Sequence, residues 1–390
     1  MKAKLFSIFF CLYLFWESIL YTVLGQGGQE LDGGIMRMVL VSVFAISLYF
    51  YLAITPRIKG EGNVLTAVVI FGLLFYATRF FHETSHDCLE KYNGQILRWG
   101  ADSIPACLIG MTLHKLKDYS LIYKILPWLC LLLTPFMAYS TLTMGTLEGQ
   151  LHVDGGFNYQ IIAYQMAILC CLSIYFTFIR QGKKKFILKV VMLPVMLIQA
   201  ACCVMSGGRG GVVLLLIYAL YMMYYLYTRK KMSLLKILLG GVGLLTISYI
   251  LADYLGVFDS AGFMRSSNLV NDEDRFELWR EYLPYIEKYL LFGWGLGGDY
   301  FTWGFYSHNI FIDFLLETGL VGTAILCCTF YLIYKRLFRL TALNEVYIIV
   351  IIFFIYGIVM NMFSGYWITT STNWLSFGIA MTYWYAYKRV

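Results

Sequence analysis

The chain has 390 residues, 60% of them hydrophobic and 14% charged, with a mean hydropathy of +0.68. A soluble globular domain is less apolar and carries more charge, so the composition points to a membrane protein. The net charge of +7 would suit nucleic acid, but most of it falls on alternate connections between apolar runs, which marks topology and excludes nucleic acid as a partner.

In chain order, Met1–Lys4 is basic, and the apolar run from Leu5 continues to Leu24 with no small-x-small cleavage site. It reads as the first membrane helix. A span needs about 20 apolar residues. Further spans are expected at 35–54, 63–81, 121–144, 158–179, 186–206, 212–228, 232–252, 310–334, 346–364 and 367–387. A weaker one at 96–113 is interrupted by Arg98, Asp102 and Pro105, and counting it brings the total to about twelve. Alternate connections carry Lys2/Lys4, Arg57/Lys59, Lys115/Lys117, Arg180 with Lys183–Lys185, Arg229–Lys231, Lys335/Arg336/Arg339 and Lys388/Arg389. The positive-inside rule places these, and both termini, in the cytoplasm. The pattern closes only if 96–113 is counted. The opposite connections hold most of the carboxylates. The expectation is an all-α, polytopic integral membrane protein: a single membrane domain, 1–390, with one large extracytoplasmic loop at 253–309. Apart from Cys88 the cysteines lie in apolar runs, and neighbours such as Cys202 and Cys203 point to different helix faces. They read as small core or lipid-facing residues, not as a disulfide or metal framework.

Four stretches carry chemistry. "FFHETSHDC" ends the third span and holds His82-Glu83-x-x-His86, the spacing of a zinc-hydrolase helix. "MSGGRGGVVL" joins two spans by a tight outer hairpin around Arg209. Its glycines would let a backbone approach a ligand, and its guanidinium suits phosphate. The alternative is a plain turn whose arginine snorkels into headgroups. In the outer loop, "EDRFELWREYLPYIEKYL" spaces Phe276, Trp279, Leu283, Ile286 and Leu290 as the apolar face of a helix lying along the outer surface. Its charges read equally well as a solvated face. "SHNIFIDFLLETGLVG" sets Asn309, Asp313 and Glu317 four apart on one helix face. His-Asn is ordinary helix-start chemistry. Two carboxylates inside a span, each costing about 3 kcal/mol when unpartnered, ask for a function. Gly319 and Gly322 would let another helix pack closely. The basic residues left on the outer side are Arg37, Arg79, Lys91, Arg98, Arg209, Arg265, Arg275, Arg280 and Lys288.

"SGGRGG", then "DRFELWREYL" leading into "LLFGWGLGGDYF", then "SHNIFIDFLLETGLVG" occur in the order found in the O-antigen polymerase and O-antigen ligase superfamily, which the chain resembles over about 201–326. The resemblance implies a reaction on the outer face of the bacterial cytoplasmic membrane, on undecaprenyl-diphosphate-linked oligosaccharide. The sugar at the reducing end moves to a hydroxyl of a glycan acceptor with inversion, without metal, nucleotide sugar or other cofactor. By match to the family pattern, Arg209 and Arg275 would bind the diphosphate. His308 would be the base for the acceptor hydroxyl or would position it, and Asn309 and Glu317 would support it. Arg265 and Arg280 rank second, and Arg79 is an outward-facing residue that no motif fixes. Membrane lipids are implied partners, and a flippase and a chain-length regulator fit the same setting. Polymerase is preferred to ligase because glycan gene clusters make polymerases the more numerous; no residue distinguishes them.

Two other classes compete. A secondary transporter fits the span count and the polar stripe, but no pseudo-repeat of two halves is visible. A zinc peptidase needs a third ligand. Asp32 in "LDG" precedes the histidine pair, His114 falls on the cytoplasmic side, and His152 is the remaining outer histidine. Arg79, His82 and His86 are spaced three and four apart, so the stretch reads instead as a polar helix end whose one face looks toward the glycan site.

Overall fold

In lipid a backbone must pair its own polar groups, and the apolar runs accordingly form helices. The computed structural model describes residues 1–16, 18–19, 33–54, 61–81, 85–147, 150–153, 159–180, 185–229 and 273–383, with scattered positions between 232 and 256. The helices are α1 (Lys2–Leu14), α2 (Gly33–Ala53), α3 (Glu61–Ala77), α4 (His86–Arg98), α5 (Ile104–Leu113), α6 (Ser120–Leu142), α7 (Tyr159–Ile174), α8 (Lys185–Met205), α9 (Arg209–Thr228), α10 (Glu273–Lys288), α11 (Gly298–Thr302), α12 (Ile310–Leu340), α13 (Val346–Phe363) and α14 (Ser371–Met381). A short antiparallel hairpin, Met144–Leu147 with Gln150–Val153, departs from the all-α expectation without changing the fold class. Among the described residues six helical stretches are long and apolar enough to cross a membrane: Glu61–Phe80, Ser120–Leu142, Tyr159–Ile179, Arg209–Thr228, Ile310–Leu340 and Val346–Phe363. The expected span 232–252 lies almost wholly outside the described residues.

Three boundaries are corrected. The weak span 96–113 is the far end of a longer rod, in which a π-helical turn at Trp99–Ser103 joins α4 to α5. The expected span from 367 begins only at Ser371, because 364–370 is held in non-helical backbone by side-chain bonds described below. Ser85 is extended (φ −66°, ψ 156°) and caps α4 by accepting from the Cys88 amide at 3.2 Å. A helix therefore begins at His86, while Glu83 lies outside the described residues. Arg79 and His86 have no common helix face. His82 itself lies outside the described residues.

The helices gather into two compact units. The first comprises 1–6, 34–118 and 270–390, the second 7–33 and 119–269. The second is centred on α7, which packs on α6, α8 and α9. Gln199 clamps its core: it accepts from the Ser173 hydroxyl at 2.9 Å and donates to Thr134 Oγ1 at 2.7 Å. The first unit is built around an aromatic core that includes Phe75, Tyr92, Trp99, Phe314, Tyr366 and Trp367. It also buries one ion pair, Lys115 with Glu61 at 3.1 Å, closed by the Tyr51 hydroxyl on Glu61 at 3.0 Å.

The feature that positions the site is a break in α12. Gly319 has φ 62° and ψ −170°, a region open only to glycine. The loop after α10 fills the break. The Trp294 and Gly295 amides donate to the carbonyls of Leu316 (2.6 Å) and Glu317 (2.9 Å). The Leu320 and Val321 amides donate to the carbonyls of Leu290 (2.8 Å) and Leu291 (3.2 Å). A Cβ on Gly319 would lie 2.4 Å from the Leu291 carbonyl carbon, so this glycine admits a loop and not the neighbouring helix expected of it. Gly322 faces its own helix's Thr318.

Gly319→Ala should therefore destabilise the protein by about 3 kcal/mol or more, through a forbidden conformation and a backbone clash. Gly94→Ala, in the interior of α4 with open space around it, should be neutral or stabilise by up to about 1 kcal/mol. Thermal unfolding of the two purified variants in detergent measures the contrast.

Candidate active site at the broken helix

His308 sits one residue before the cap of α12. Asn309 is that cap: its Oδ1 accepts from the Phe311 amide at 3.0 Å and the Ile312 amide at 3.4 Å. Ser307, on the other side, is buried and held from four directions. Its amide donates to Asp313 Oδ1 at 3.0 Å, and its hydroxyl donates to the Asn309 carbonyl at 2.9 Å. The same hydroxyl accepts from the Asn309 amide at 3.1 Å, and its carbonyl accepts from Trp279 Nε1 at 2.9 Å. Pinned on both flanks, His308 takes φ 59°, the one positive φ of a non-glycine among the described residues. For a non-glycine residue that conformation costs roughly 1–2 kcal/mol, sustained only where the surroundings over-determine it. The imidazole is half-buried against the Tyr306 ring, centroids 4.5 Å apart, and Tyr306 is anchored by its hydroxyl on the Ser364 carbonyl at 2.5 Å.

The stripe below His308 faces inward. Asn309 caps, Asp313 holds Ser307, and Glu317, 1% exposed, ties three segments together. Glu317 Oε1 accepts from the Gly297 amide at 3.0 Å and the Tyr366 hydroxyl at 2.5 Å, and its Oε2 accepts from Trp367 Nε1 at 2.9 Å. Asp299, fully buried in α11, completes the set. Its Oδ1 accepts from the Tyr300 amide at 2.8 Å, and its carboxyl lies within electrostatic reach of Glu317 and Asp313. Burial pushes the Asp299 carboxyl well above the usual carboxylate range, and neighbouring Glu317 and Asp313 push it further. These causes favour the neutral form of Asp299. Among the described residues no group of three or more His, Cys, Asp or Glu is placed to share a metal ion.

The expected cations are placed differently from one another. Arg280 is exposed on α10, next to Trp279, whose indole docks on Ser307. Arg275 lies on the same helix, its side chain outside the described residues, as is Arg265 altogether. α10 is held down by Tyr282 and Tyr285 against Trp303, at 4.2 and 4.9 Å. Its buried contacts are thus aromatic, and Leu283, with Leu290 just past its end, both from the expected apolar face, are exposed. Arg79 follows α3, its guanidinium over the Tyr76 and Phe80 rings at 5.1 and 5.4 Å. It is linked to the site through Tyr92, a buried phenol bonded to the Phe75 carbonyl and within electrostatic reach of Arg79, Glu317 and Asp299. Arg98, at the end of α4, acts on Tyr300 in the same way.

Arg209 belongs to the second unit. It is the first residue of α9, half-buried, at the positive end of the helix dipole, where a cation costs about 0.3–1 kcal/mol. The surrounding glycines do not form the ligand cradle expected of them. A Cβ on Gly208 or Gly211 would meet the Ala163 methyl at 2.5 Å, and one on Gly210 would meet the Tyr164 hydroxyl. They are spent on packing against α7.

Asp299, Ser307, Tyr306, Tyr366 and Trp367 had no role in the sequence pattern. Their only trace was local: an acid after Gly297-Gly298, and the polar, aromatic run "SGYWITTSTNW" between two expected spans.

The Asp299 proton has a measurable consequence. With its folded pKa raised above the unfolded value of about 3.9, the stability it contributes is complete below about pH 4 and is lost as pH rises. Asp299→Asn is nearly isosteric and cannot ionise. Its thermal midpoint, followed from pH 5 to 8, should decline less steeply than that of the wild type, and parallel slopes would refute the assignment.

No curated protein matches the chain. Residues 194–327, a stretch that holds Arg209, α10, His308 and the α12 break, match the family model described as O-antigen ligase, which supports the resemblance to the O-antigen polymerase and ligase superfamily.

Proposed function

We propose that the protein is an extracytoplasmic membrane glycosyltransferase that transfers a glycan from a polyprenyl diphosphate to a sugar hydroxyl, polymerising O-antigen, capsular or exopolysaccharide repeat units. The observation that carries this is His308: a strained, half-exposed imidazole at the mouth of a candidate span, inside the family-matched segment. Strain of this kind gathers at functional sites.

In the reaction, the acceptor hydroxyl oxygen attacks the anomeric carbon and its proton passes to His308. The bond from that carbon to the diphosphate oxygen breaks, and polyprenyl diphosphate leaves. Arg209 and Arg275 neutralise the charge that builds on the leaving group, with Arg280, Arg265 and Arg79 as further cations. Asn309 fixes the backbone beside the base. Glu317 acts at one remove, by holding the loop and the 366–367 turn around it. The polar stripe does not suit an ion pathway, because Asp313 and Glu317 are buried and occupied by backbone and aromatic donors. That weighs against transport.

Glycan banding of a deletion strain tests the reading. Loss of long chains, with one repeat unit still attached to the lipid core, is the expected polymerase result; loss of all attached glycan would mean ligase, and unchanged banding would sink both. Complementation with His308→Gly should restore protein level, since glycine relieves the left-handed strain, yet leave chain length as in the deletion. Arg209→Ala should likewise fail to restore long chains. Normal chain length from either variant would overturn the assigned roles.

A further inference from the structure

The segment between α10 and α11 was expected to lie wholly outside the membrane, as part of the loop 253–309. We propose that residues 290–293 instead form a re-entrant wedge, whose side chains sit among the acyl chains of the outer leaflet.

The first ground is depth. The wedge is bonded to α12 at Leu320 and Val321. Leu320 lies about 15 Å along the helix from Ile310 at 1.5 Å per residue. Measured back from the basic end at Lys335, a hydrocarbon layer of about 30 Å would begin about one and a half turns nearer. By the two measures the contact falls about 8–15 Å inside the apolar part of a candidate span.

The second ground is pairing. Non-helical backbone survives at membrane depth only where its polar groups are satisfied. Here the Gly293 amide donates to the Tyr289 carbonyl at 2.7 Å, and the loop's two amides and two carbonyls pair with those freed by the α12 break.

The third is the surface presented. Leu290, Leu291 and Phe292 are 44%, 58% and 76% exposed, in a row, at the tip. Immediately beside them stand Tyr289 and Trp294, with Lys288 over both rings at 5.1 and 5.9 Å. Aromatic rings with a snorkelling lysine are what a membrane–water boundary selects. An apolar tip collared by such residues fits lipid chains, and it does not depend on the chemistry assigned to His308.

Collision accessibility of a nitroxide label in liposomes tests this. In a background of Cys88→Ala, Cys327→Ala and Cys328→Ala, the label is attached at Phe292→Cys, at Leu291→Cys and, for comparison, at Glu281→Cys on the exposed polar side of α10. Oxygen should relax the labels at 291 and 292 several-fold more than a water-soluble nickel chelate does, with the reverse at 281. Nickel matching or exceeding oxygen at 292 would overturn the wedge, as would low collision rates for both reagents there, which would mean a covering of protein.

Discussion

A helix broken inside an apolar layer bares carbonyls and amides that water cannot reach, each several kcal/mol if left unpaired. In α12 the break at Gly319 frees the Leu316 and Glu317 carbonyls and the Leu320 and Val321 amides, and the 290–295 loop meets all four. Much of the site follows from that requirement. The loop must reach the break, so the chain after it turns over Gly297 and brings Asp299 beneath Glu317. The same return stacks Trp303 under Tyr282 and Tyr285, which seats α10. A seated α10 presents the Trp279 indole to the Ser307 carbonyl, and a fixed Ser307 leaves His308 its left-handed backbone. The imidazole at the surface thus depends on hydrogen bonds made well below it.

How much of this the sequence announced differs from element to element. The 309/313/317 spacing is visible in a single row of residues, because a helix converts spacing into a face. What that face binds is not, because Gly297, Tyr366 and Trp367 lie 20 to 50 residues away along the chain. The α10 helix was legible as amphipathic, but Leu283 and Leu290 point outward while Tyr282 is buried. The rule that apolar side chains turn inward assumes water outside, and next to lipid an exposed leucine has no penalty while a tyrosine gains from aromatic partners. Glycines in "SGGRGG" carry the same ambiguity: a missing Cβ serves a ligand or a neighbouring helix equally, and here it serves α7. In the histidine stretch, Ser85 before His86 is a good helix start, and α4 begins there.

The described part of the site is acidic at its centre, with Asp299, Asp313 and Glu317 buried together and the neutral form of Asp299 favoured by burial and by its acidic neighbours. A diphosphate would find no welcome there, so the positive charge for it has to come from the rim. Arg280 and Arg275 ride on α10, and a directional bond, Trp279 to Ser307, joins α10 to the turn that carries His308. In the proposed reaction that bond gives the leaving-group cations and the general base a common mounting. In that reaction, a displacement of α10 on binding diphosphate would be delivered through Trp279, in the middle of the helix, to the residue next to His308. That bond makes the orientation of His308 a property of the loop as much as of the helix that it caps.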